Sequence, residues 1–223
     1  TIVQAYATDP ARKQLFRIEE ALKKIGYRHS LKTVLGYGGV TNIRYPRLFE
    51  AAMSGPVGGL MGAKYLGSVI GEENIVCSDV GGTSFDAGCI TAGVVPIVRE
   101  PGFQDMYLTA PMLSITSIGA GTGTYIRIDP ATNRIMNEHN YLGGKVKVNK
   151  VTSYRLFKEK VADPLGMDVY DACEVCIDLL NIQMREHLVR SLMVGRDLRD
   201  YILLGYGGGG PLHLLPYAGD HPY

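Results

Sequence analysis

The chain has 223 residues, of which 46% are hydrophobic and 20% charged, and its formal net charge is +1. No basic surplus predicts a nucleic-acid partner, and no apolar run approaches the roughly 20 residues that a membrane span needs. Its first residues also lack the pattern of a signal peptide. We therefore expect a cytoplasmic globular protein with no nucleic-acid or membrane partner.

The first predicted elements are two helices and a short strand. Asp9 can cap a helix and Pro10 suits its first position, so a helix is predicted over residues 9–26. A short strand is predicted over residues 31–35. A second helix is predicted over residues 54–71, and the free backbone N–H groups at its start would suit an anion.

From residue 75 the pattern changes to strands. Two apolar runs, residues 75–80 and 85–90, are joined by a glycine turn at residues 81–84, and this pattern predicts a hairpin. Further strands are predicted over residues 94–99, 112–118 and 125–128.

The C-terminal third is predicted to contain the longest helix, over residues 169–194, with Asp168 as its cap and Gly195 after its end. A buried strand over residues 201–204 then leads into a glycine turn and a short helix near Leu212. Because strands and helices alternate along the chain, the class is predicted to be α/β or α+β.

Cys173 and Cys176 form a C-x-x-C pair, which can indicate a metal or redox site. The chain has no second pair at related spacing, and both residues fall within a predicted helix. Cysteine is among the most often buried residue types, so we expect core packing.

The 28 glycines are the most unusual feature of the composition, because they cluster at the ends of apolar runs. Glycine lets the backbone approach a ligand closely and adopt a positive φ. Several such turns predict a ligand cleft lined by backbone, although some of them are expected to be ordinary tight turns.

The strongest local motif is the octapeptide over residues 79–86, in which a carboxylate at a strand end precedes two glycines and two hydroxyls. Asp79 and Asp86 are the candidate catalytic carboxylates, and Asp79 is also the candidate Mg²⁺ ligand, since Mg²⁺ uses few carboxylates and keeps several waters. An ordinary hairpin turn is the alternative. The candidate phosphate-binding residues are Gly81, Gly82, Thr83 and Ser84.

Other nucleotide and catalytic motifs do not fit. Residues 58–64 resemble a Walker A motif, but Ala63 separates Gly62 from the lysine. The glycines at 119–123 lack the spacing of a Rossmann fingerprint. His213 follows a glycine run and could reach a site, but a capping or packing role is favoured.

The octapeptide resembles the second phosphate motif of the actin, Hsp70 and sugar-kinase superfamily, whose core is ribonuclease H-like. Residues 205–211, Gly-Tyr-Gly-Gly-Gly-Gly-Pro, resemble its adenosine motif. The order of these motifs with Ser-Gly-Pro at 54–56 and Gly-Ala-Gly-Thr-Gly at 119–123 resembles the hydantoinase A and oxoprolinase family. Residues 85–86 and 119–129 resemble the acetone carboxylase β subunit branch most.

This resemblance implies the C-terminal half of an actin-like ATPase domain across residues 1–223, with ATP and Mg²⁺ as cofactors. It implies a subunit of an ATP-dependent ketone carboxylase that phosphorylates its carbonyl substrate, with hydantoinase B-like and small subunits as partners. The alternatives are an ATP-dependent hydrolase of cyclic amides and a non-catalytic nucleotide-binding scaffold. The cofactor-binding residues that it adds are Gly119, Gly121, Gly207, Gly208, Gly209 and Gly210.

Two departures from the family pattern are expected to matter. The first phosphate motif, a separate Asp-x-Gly-Gly-Thr, does not occur in the chain. A glycine- and proline-rich segment that the family has between the positions of Ile135 and Met136 is also absent. The chain could therefore be a fragment, joined pieces of a longer chain or a shortened paralogue, and half of a cleft alone would bind nucleotide weakly.

Overall fold

A computed structural model describes residues 2–103, 106–107, 109–121 and 149–219 of the chain, which form a mixed α/β structure. The α-helices are α1 (Ile2–Lys24), α2 (Ser54–Ile70), α3 (Lys150–Phe157), α4 (Asp163–Leu165), α5 (Val169–Leu192) and α6 (Gly210–Ala218). The strands are β1 (Lys32–Val34), β2 (Val40–Asn42), β3 (Ile75–Val80), β4 (Phe85–Ile90), β5 (Ile97–Val98), β6 (Gly102–Phe103), β7 (Met106–Tyr107), β8 (Met112–Leu113), β9 (Ile115–Ile118) and β10 (Ile202–Tyr206).

A four-stranded sheet in the order β10-β3-β4-β9 forms the centre of the molecule. β10 pairs with β3 in parallel, whereas β4 is antiparallel to both β3 and β9. As a result β3, β9 and β10 all end at the same edge of the sheet. The predicted hairpin of residues 75–90 is confirmed as β3 and β4.

The two faces of this sheet pack against different helices, because successive side chains in a strand point to opposite faces. Val76, Val80 and Phe85 pack in one apolar cluster with Met184 and Leu188 of α5. The alternate residues of β3 and β4 lie on the other face, in a second cluster with α2, whose buried members include Val57, Leu60, Ile75, Cys77 and Ile90. The sheet is therefore covered on both sides.

The two long helices next to the sheet begin where their sequences predict, and α5 ends at Leu192, two residues before its predicted end. Asp168 caps α5 by accepting a hydrogen bond from the Tyr170 N–H at 2.8 Å. α2 is followed by Gly71 in the left-handed conformation, with φ of 80°. Cys173 is buried and Cys176 half-buried, and both lie on α5 as free cysteines. Among the described residues no group of three or more His, Cys, Asp or Glu side chains could hold a metal ion.

The predicted start of the first helix is wrong. α1 already begins at Ile2, and Pro10 lies inside it rather than at its first position. A proline inside a helix removes one backbone hydrogen bond and crowds the preceding turn. The helix-compatible residues on both sides of Pro10 continue the helix despite this cost. Its end is as predicted, with Gly26 at a φ of 99°.

The predicted strand over residues 112–118 is divided. β8 pairs with β5, and β9, which follows after Ser114, pairs with β4 in the central sheet. The strand predicted over residues 94–99 is reduced to the two residues of β5. β2 was not predicted from the sequence. The strand predicted over residues 125–128 lies outside the described residues, as does the expected junction at residues 135–136.

A buried carboxylate ties α1 to the segment that follows it. Glu19 is only 2% exposed, and its carboxylate accepts hydrogen bonds from Arg44 at 2.8 and 3.2 Å, from the Leu31 N–H at 3.0 Å and from Lys23 at 3.2 Å. The Arg44 contacts and then the Leu31 N–H lower the pKa of Glu19 to about 2.

We expect Glu19→Gln to lower the melting temperature at neutral pH and to remove part of its pH dependence. The pKa of Glu19 is about 4.5 in an unfolded chain and about 2 in the folded one, so its contribution is present above pH 4.5 and is lost as the pH falls towards 2. Thermal unfolding from pH 7 to pH 2.5 measures this, with the exposed neighbour Glu20→Gln as the control. A difference between wild type and Glu19→Gln that stays constant with pH would contradict the assignment.

Candidate nucleotide site

Three glycine turns follow three strands at one edge of the central sheet. The turn after β10 lies against the turn after β3, because the Gly209 N–H donates to the Val80 carbonyl at 2.8 Å. Gly207 has a φ of 83°, and a Cβ atom there would collide with the Asp79 carboxylate and lie 2.7 Å from the Val80 carbonyl oxygen. The parallel pairing of β3 and β10 thus brings residues 79–84 and 207–210 together.

The third turn follows β9 and closes on the same hairpin. Ile118, the last residue of β9, pairs with Phe85 at the start of β4, and Gly119 follows directly. A Cβ atom on Gly121 would collide with the backbone of Thr83 and lie 2.6 Å from Gly82. Only glycine allows this approach, so Gly121 packs directly under the turn that carries the two hydroxyl residues.

Within the hairpin, the turn presents polar groups to solvent. The Gly81 N–H donates to the Ser84 carbonyl at 3.0 Å, which closes the turn, while Gly82 and Thr83 are exposed. The Ser84 hydroxyl donates to the Asp86 carboxylate at 2.8 Å. The exposed part of the turn can therefore meet an anion without rearrangement of the sheet.

Two carboxylates face each other across β3 and β4. Asp79 pairs with Asp86 in the register of the hairpin, and on its other side Asp79 pairs with Tyr206 of β10. Residues opposite one another on adjacent strands point to the same face, so these three side chains form a row on the α2 face. Together with Pro56 and Leu60 of α2 they line a narrow recess.

Burial and the neighbouring Asp86 carboxylate raise the pKa of Asp79 above its usual range. A divalent cation or the positive end of a helix would relieve the repulsion between the two carboxylates. The N-terminal end of α2 lies over this recess, and it has no side-chain cap. The two carboxylates therefore repel one another when no cation is bound, and a cation bound between them would be favourable.

The structure brings most of the predicted site residues together by direct contact or strand pairing, and it places Gly119 and Gly208 in the turns at the same edge. Sequence reasoning missed Tyr206, whose ring packs on α2 so closely that a Cβ atom on Gly59 would lie 2.6 Å from it. Burial, and then Cys77 and Asp79, raise the pKa of the Tyr206 hydroxyl. Its place beside Asp79 follows from the pairing of β10 with β3, which local sequence does not reveal.

His213 does not lie among these residues. It is buried on α6, and its Nδ1 atom is 2.8 Å from the amide oxygen of Asn181 on α5. Its contact with Asn181 agrees with the favoured packing role.

Two observations indicate how ATP and Mg²⁺ would fit here. Mg²⁺ in nucleotide sites uses one or two carboxylates together with phosphate oxygens and water, and the row offers Asp79 and Asp86. The turns offer exposed glycine backbone and the Thr83 hydroxyl, groups that suit phosphate oxygens. The residues present therefore fit Mg²⁺ and the phosphates of ATP.

Comparison with solved structures identifies the fold as an α/β structure of the actin-like ATPase type. A nucleotide-free structure of acetone carboxylase, from work on ATP-dependent acetone carboxylation, superimposes with a TM-score of 0.86 and 33% identity, covering 96% of this chain and 35% of that one. ATP-dependent caprolactamase from Pseudomonas jessenii superimposes with a TM-score of 0.69 and 21% identity, covering 98% and 37%.

The chain belongs to the hydantoinase/oxoprolinase family, whose model matches residues 1–136 and 131–220. It is 35% identical to the acetone carboxylase β subunit of Xanthobacter autotrophicus over an alignment of 254 positions, covering 98% of this chain and 35% of that protein. It is 24% identical to the acetophenone carboxylase γ subunit of Aromatoleum aromaticum, covering 99% and 35%. The chain thus spans about a third of the length of these relatives. In its described part, no helix is long and apolar enough to cross a membrane.

We expect Gly207→Ala to destabilise the protein by at least about 2 kcal/mol, because alanine combines an unfavourable positive φ with a collision against Asp79. The matched control is Gly208→Ala, where a Cβ atom would have no neighbour within 4 Å and the φ is not in the left-handed region. We expect that variant to stay within about 0.5 kcal/mol of the wild type. Denaturant unfolding measures both, and equal losses would show that the turns do not meet as described.

Proposed function

We propose that this chain is part of a subunit of an ATP-dependent ketone carboxylase, in which it binds ATP and supports phosphorylation of the carbonyl substrate. The observation that supports this proposal most is the meeting of three glycine turns beside the Asp79–Asp86 pair. The 35% identity to an acetone carboxylase β subunit supports the choice of substrate class.

In this proposal the turns hold the nucleotide. The exposed Gly82 amide and the Thr83 hydroxyl bind phosphate oxygens. Gly81 and Ser84 join them by exchanging their hydrogen bonds to the Ser84 carbonyl and the Asp86 carboxylate for bonds to phosphate. Gly119 and Gly121 contribute further backbone contacts to the nucleotide, Gly121 from directly under the turn, and the adenosine side is held by residues 207–210. Glycine is required where backbone meets backbone, so the site is built from main-chain donors that the sheet holds in place.

Asp79 is proposed to hold Mg²⁺, either directly or through water, and Asp86 to provide a second contact to the metal or to a metal-bound water. When bound, the metal neutralises charge on the phosphate oxygens during phosphoryl transfer. The raised pKa of Asp79 supports this role, since a buried carboxylate beside a second one gains most from a cation. The hydrogen bond from Ser84 orients the Asp86 carboxylate.

The reaction proposed transfers two phosphoryl groups from ATP, one to the enol oxygen of a ketone that has lost an α-proton and one to bicarbonate, leaving AMP if both come from one ATP or ADP if each comes from a separate ATP. A partner subunit then joins the two carbon centres, and both phosphates leave as inorganic phosphate. The partners proposed are a hydantoinase B-like subunit and a small subunit. The names of two relatives as carboxylase subunits support an assembly of this kind. We also propose that a segment is missing near residues 135–136, where the two matches to the family model meet.

A second candidate is ATP-dependent hydrolysis of a cyclic amide, such as a hydantoin, 5-oxoproline or a lactam. The chain is 24% identical to the caprolactamase α subunit of Pseudomonas jessenii over 98% of its length. Both reactions use the same phosphoryl chemistry, so the site residues have the same roles in each. A non-catalytic nucleotide-binding scaffold is the third candidate, because a separate Asp-x-Gly-Gly-Thr first phosphate motif does not occur in this sequence.

We expect Asp79→Asn to lower ketone-dependent ATP turnover at least about 100-fold in the assembled enzyme, with little change in stability, since it removes the metal contact but keeps the side-chain shape. Release of ADP, AMP and phosphate measures turnover, and calorimetry measures Mg²⁺-ATP binding. Glu73→Gln, an exposed carboxylate before β3, is the control and should keep full turnover. Unchanged turnover in Asp79→Asn would reject the metal role.

Substrate profiling separates the candidates. For a ketone carboxylase we expect acetone or acetophenone with bicarbonate to stimulate ATP turnover at least about tenfold over the rate without substrate, and hydantoins and lactams to have no effect. Stimulation by cyclic amides alone would favour the hydrolase. Binding of ATP without stimulation by either class, with the partner subunits present, would favour the scaffold.

A further inference from the structure

The recess beside the Asp79–Asp86 pair has room for one small occupant. Its volume is about 10 Å³, which is close to the least that a cavity needs to hold a single water molecule. Pro56 and Leu60 of α2 form one apolar wall, and the polar side chains that line the recess are those of Asp79, Asp86 and Tyr206. A water molecule inside a protein needs two to four polar partners, and these three side chains meet that requirement.

The hydrogen-bonding capacity of the three side chains also matches one water molecule. An ionised carboxylate only accepts hydrogen bonds, whereas the hydroxyl of a neutral tyrosine can donate one. A water between them would donate one hydrogen to each carboxylate and would accept the hydrogen of the Tyr206 hydroxyl. The three groups thus offer two acceptors and one donor, as such a water requires.

Two of these groups have no other hydrogen-bond partner in the part of the chain that the structure describes, namely the Asp79 carboxylate and the Tyr206 hydroxyl. Asp86 accepts a hydrogen bond from the Ser84 hydroxyl at its Oδ2 atom, which leaves its Oδ1 atom for a second bond. Polar groups that are largely removed from solvent are normally hydrogen-bonded. A shared partner in the recess would satisfy all three groups at once.

The position of the Tyr206 hydroxyl is fixed from the side of α2. A Cβ atom on Gly59 would lie 2.6 Å from the Cε2 atom of the ring and 3.0 Å from the hydroxyl oxygen, so the tip of the ring lies directly on the helix. Gly59 falls between Pro56 and Leu60, which line the recess. The backbone of Tyr206 is held in β10 by its pairing with Asp79. Both ends of the side chain are therefore held beside the recess.

We propose that Tyr206 is a positioning residue of the candidate nucleotide site: its hydroxyl holds one water molecule in the recess, and this water bridges the Asp79 and Asp86 carboxylates. The inference rests on the proposed function, in which these two carboxylates hold Mg²⁺. The bridging water reduces their repulsion and fixes their orientation before the metal binds. It also remains as a donor to Asp86 when Ser84 exchanges its bond to that carboxylate for one to phosphate.

Removal of the hydroxyl tests this role. We expect Tyr206→Phe, which keeps the ring against Gly59, to weaken the binding of ATP in excess Mg²⁺ roughly tenfold in the assembled enzyme, because the groups that orient metal ligands contribute that much to metal affinity. Binding of ATP in EDTA should not change. Calorimetry measures both. The matched control is Tyr201→Phe, which removes a hydroxyl at the far end of β10, where it lies 3.0 Å from the Thr91 hydroxyl, and should bind Mg²⁺-ATP as the wild type does.

The same titration of Asp79→Asn separates this inference from the proposed function. If Asp79→Asn loses affinity for Mg²⁺-ATP and Tyr206→Phe does not, the role of Tyr206 is wrong and the metal role of Asp79 stands. If neither variant loses affinity, the proposed metal site is wrong and the role of Tyr206 is wrong with it.

Displacement of the ring provides a second test. We expect Gly59→Ala, whose new methyl group pushes the ring aside, to weaken Mg²⁺-ATP binding roughly tenfold in the wild type but less than about twofold in Tyr206→Phe, where the hydroxyl is already absent. Gly58→Ala is the control, because it makes the same change in α2 where a Cβ atom would have no neighbour within 4 Å. Equal losses from Gly59→Ala in both backgrounds would contradict the role of the hydroxyl.

A crystal structure of the assembled enzyme without nucleotide provides the direct observation. We expect one water within about 3.0 Å of the Tyr206 hydroxyl and of one oxygen from each carboxylate, and we expect it to be lost in Tyr206→Phe. A recess that contains no water in the wild type, at a resolution that shows other ordered waters, would overturn the proposal. A water that stays in place in Tyr206→Phe would also overturn it, since the hydroxyl would then not be what holds it.

Discussion

The candidate site depends on the parallel pairing of β10 with β3. Because the two strands run in the same direction, the turns that follow them leave the sheet at the same edge and must share the space above it. They can share it only because Gly207 has no side chain, since a Cβ atom there would occupy the place of the Asp79 carboxylate. Backbone packing therefore requires the glycines at this edge, whether or not a ligand is bound.

Because side chains alternate along the strands, the residues that form the apolar core under α5 and the candidate site carboxylates lie on opposite faces of the sheet. On the α5 face, β3 and β4 contribute Val76, Val80 and Phe85 to a continuous apolar core. On the α2 face the same strands place Asp79 and Asp86 opposite one another, at the end where the apolar cluster stops. A shift of one residue in the register of β3 or β4 would bury the carboxylate of that strand under α5, so the core on one face determines the position of the charges on the other.

Much of this arrangement could be predicted from the sequence. The hairpin, the α2 and α5 boundaries and the glycine turns all follow from local signals such as Asp168 and Gly71. The division of residues 112–118 between two sheets could not be predicted, because both parts are apolar and only their partners differ. Tyr206 was missed for a related reason: its place beside Asp79 depends on which strand lies next to β3, and local sequence does not carry that information.

Asp79 connects the fold to its proposed chemistry. Folding brings this carboxylate into a half-buried position beside Asp86, and burial and the second carboxylate both raise its pKa there. A protein gains nothing in stability from such a pair, whereas apolar residues at both positions would extend the α2 cluster. The arrangement is understandable if a cation with its phosphate ligands completes the site. Binding of the cation then offsets the electrostatic free energy that it costs to fold the two carboxylates together. Binding of nucleotide and metal should therefore stabilise the fold in addition to its role in the proposed reaction.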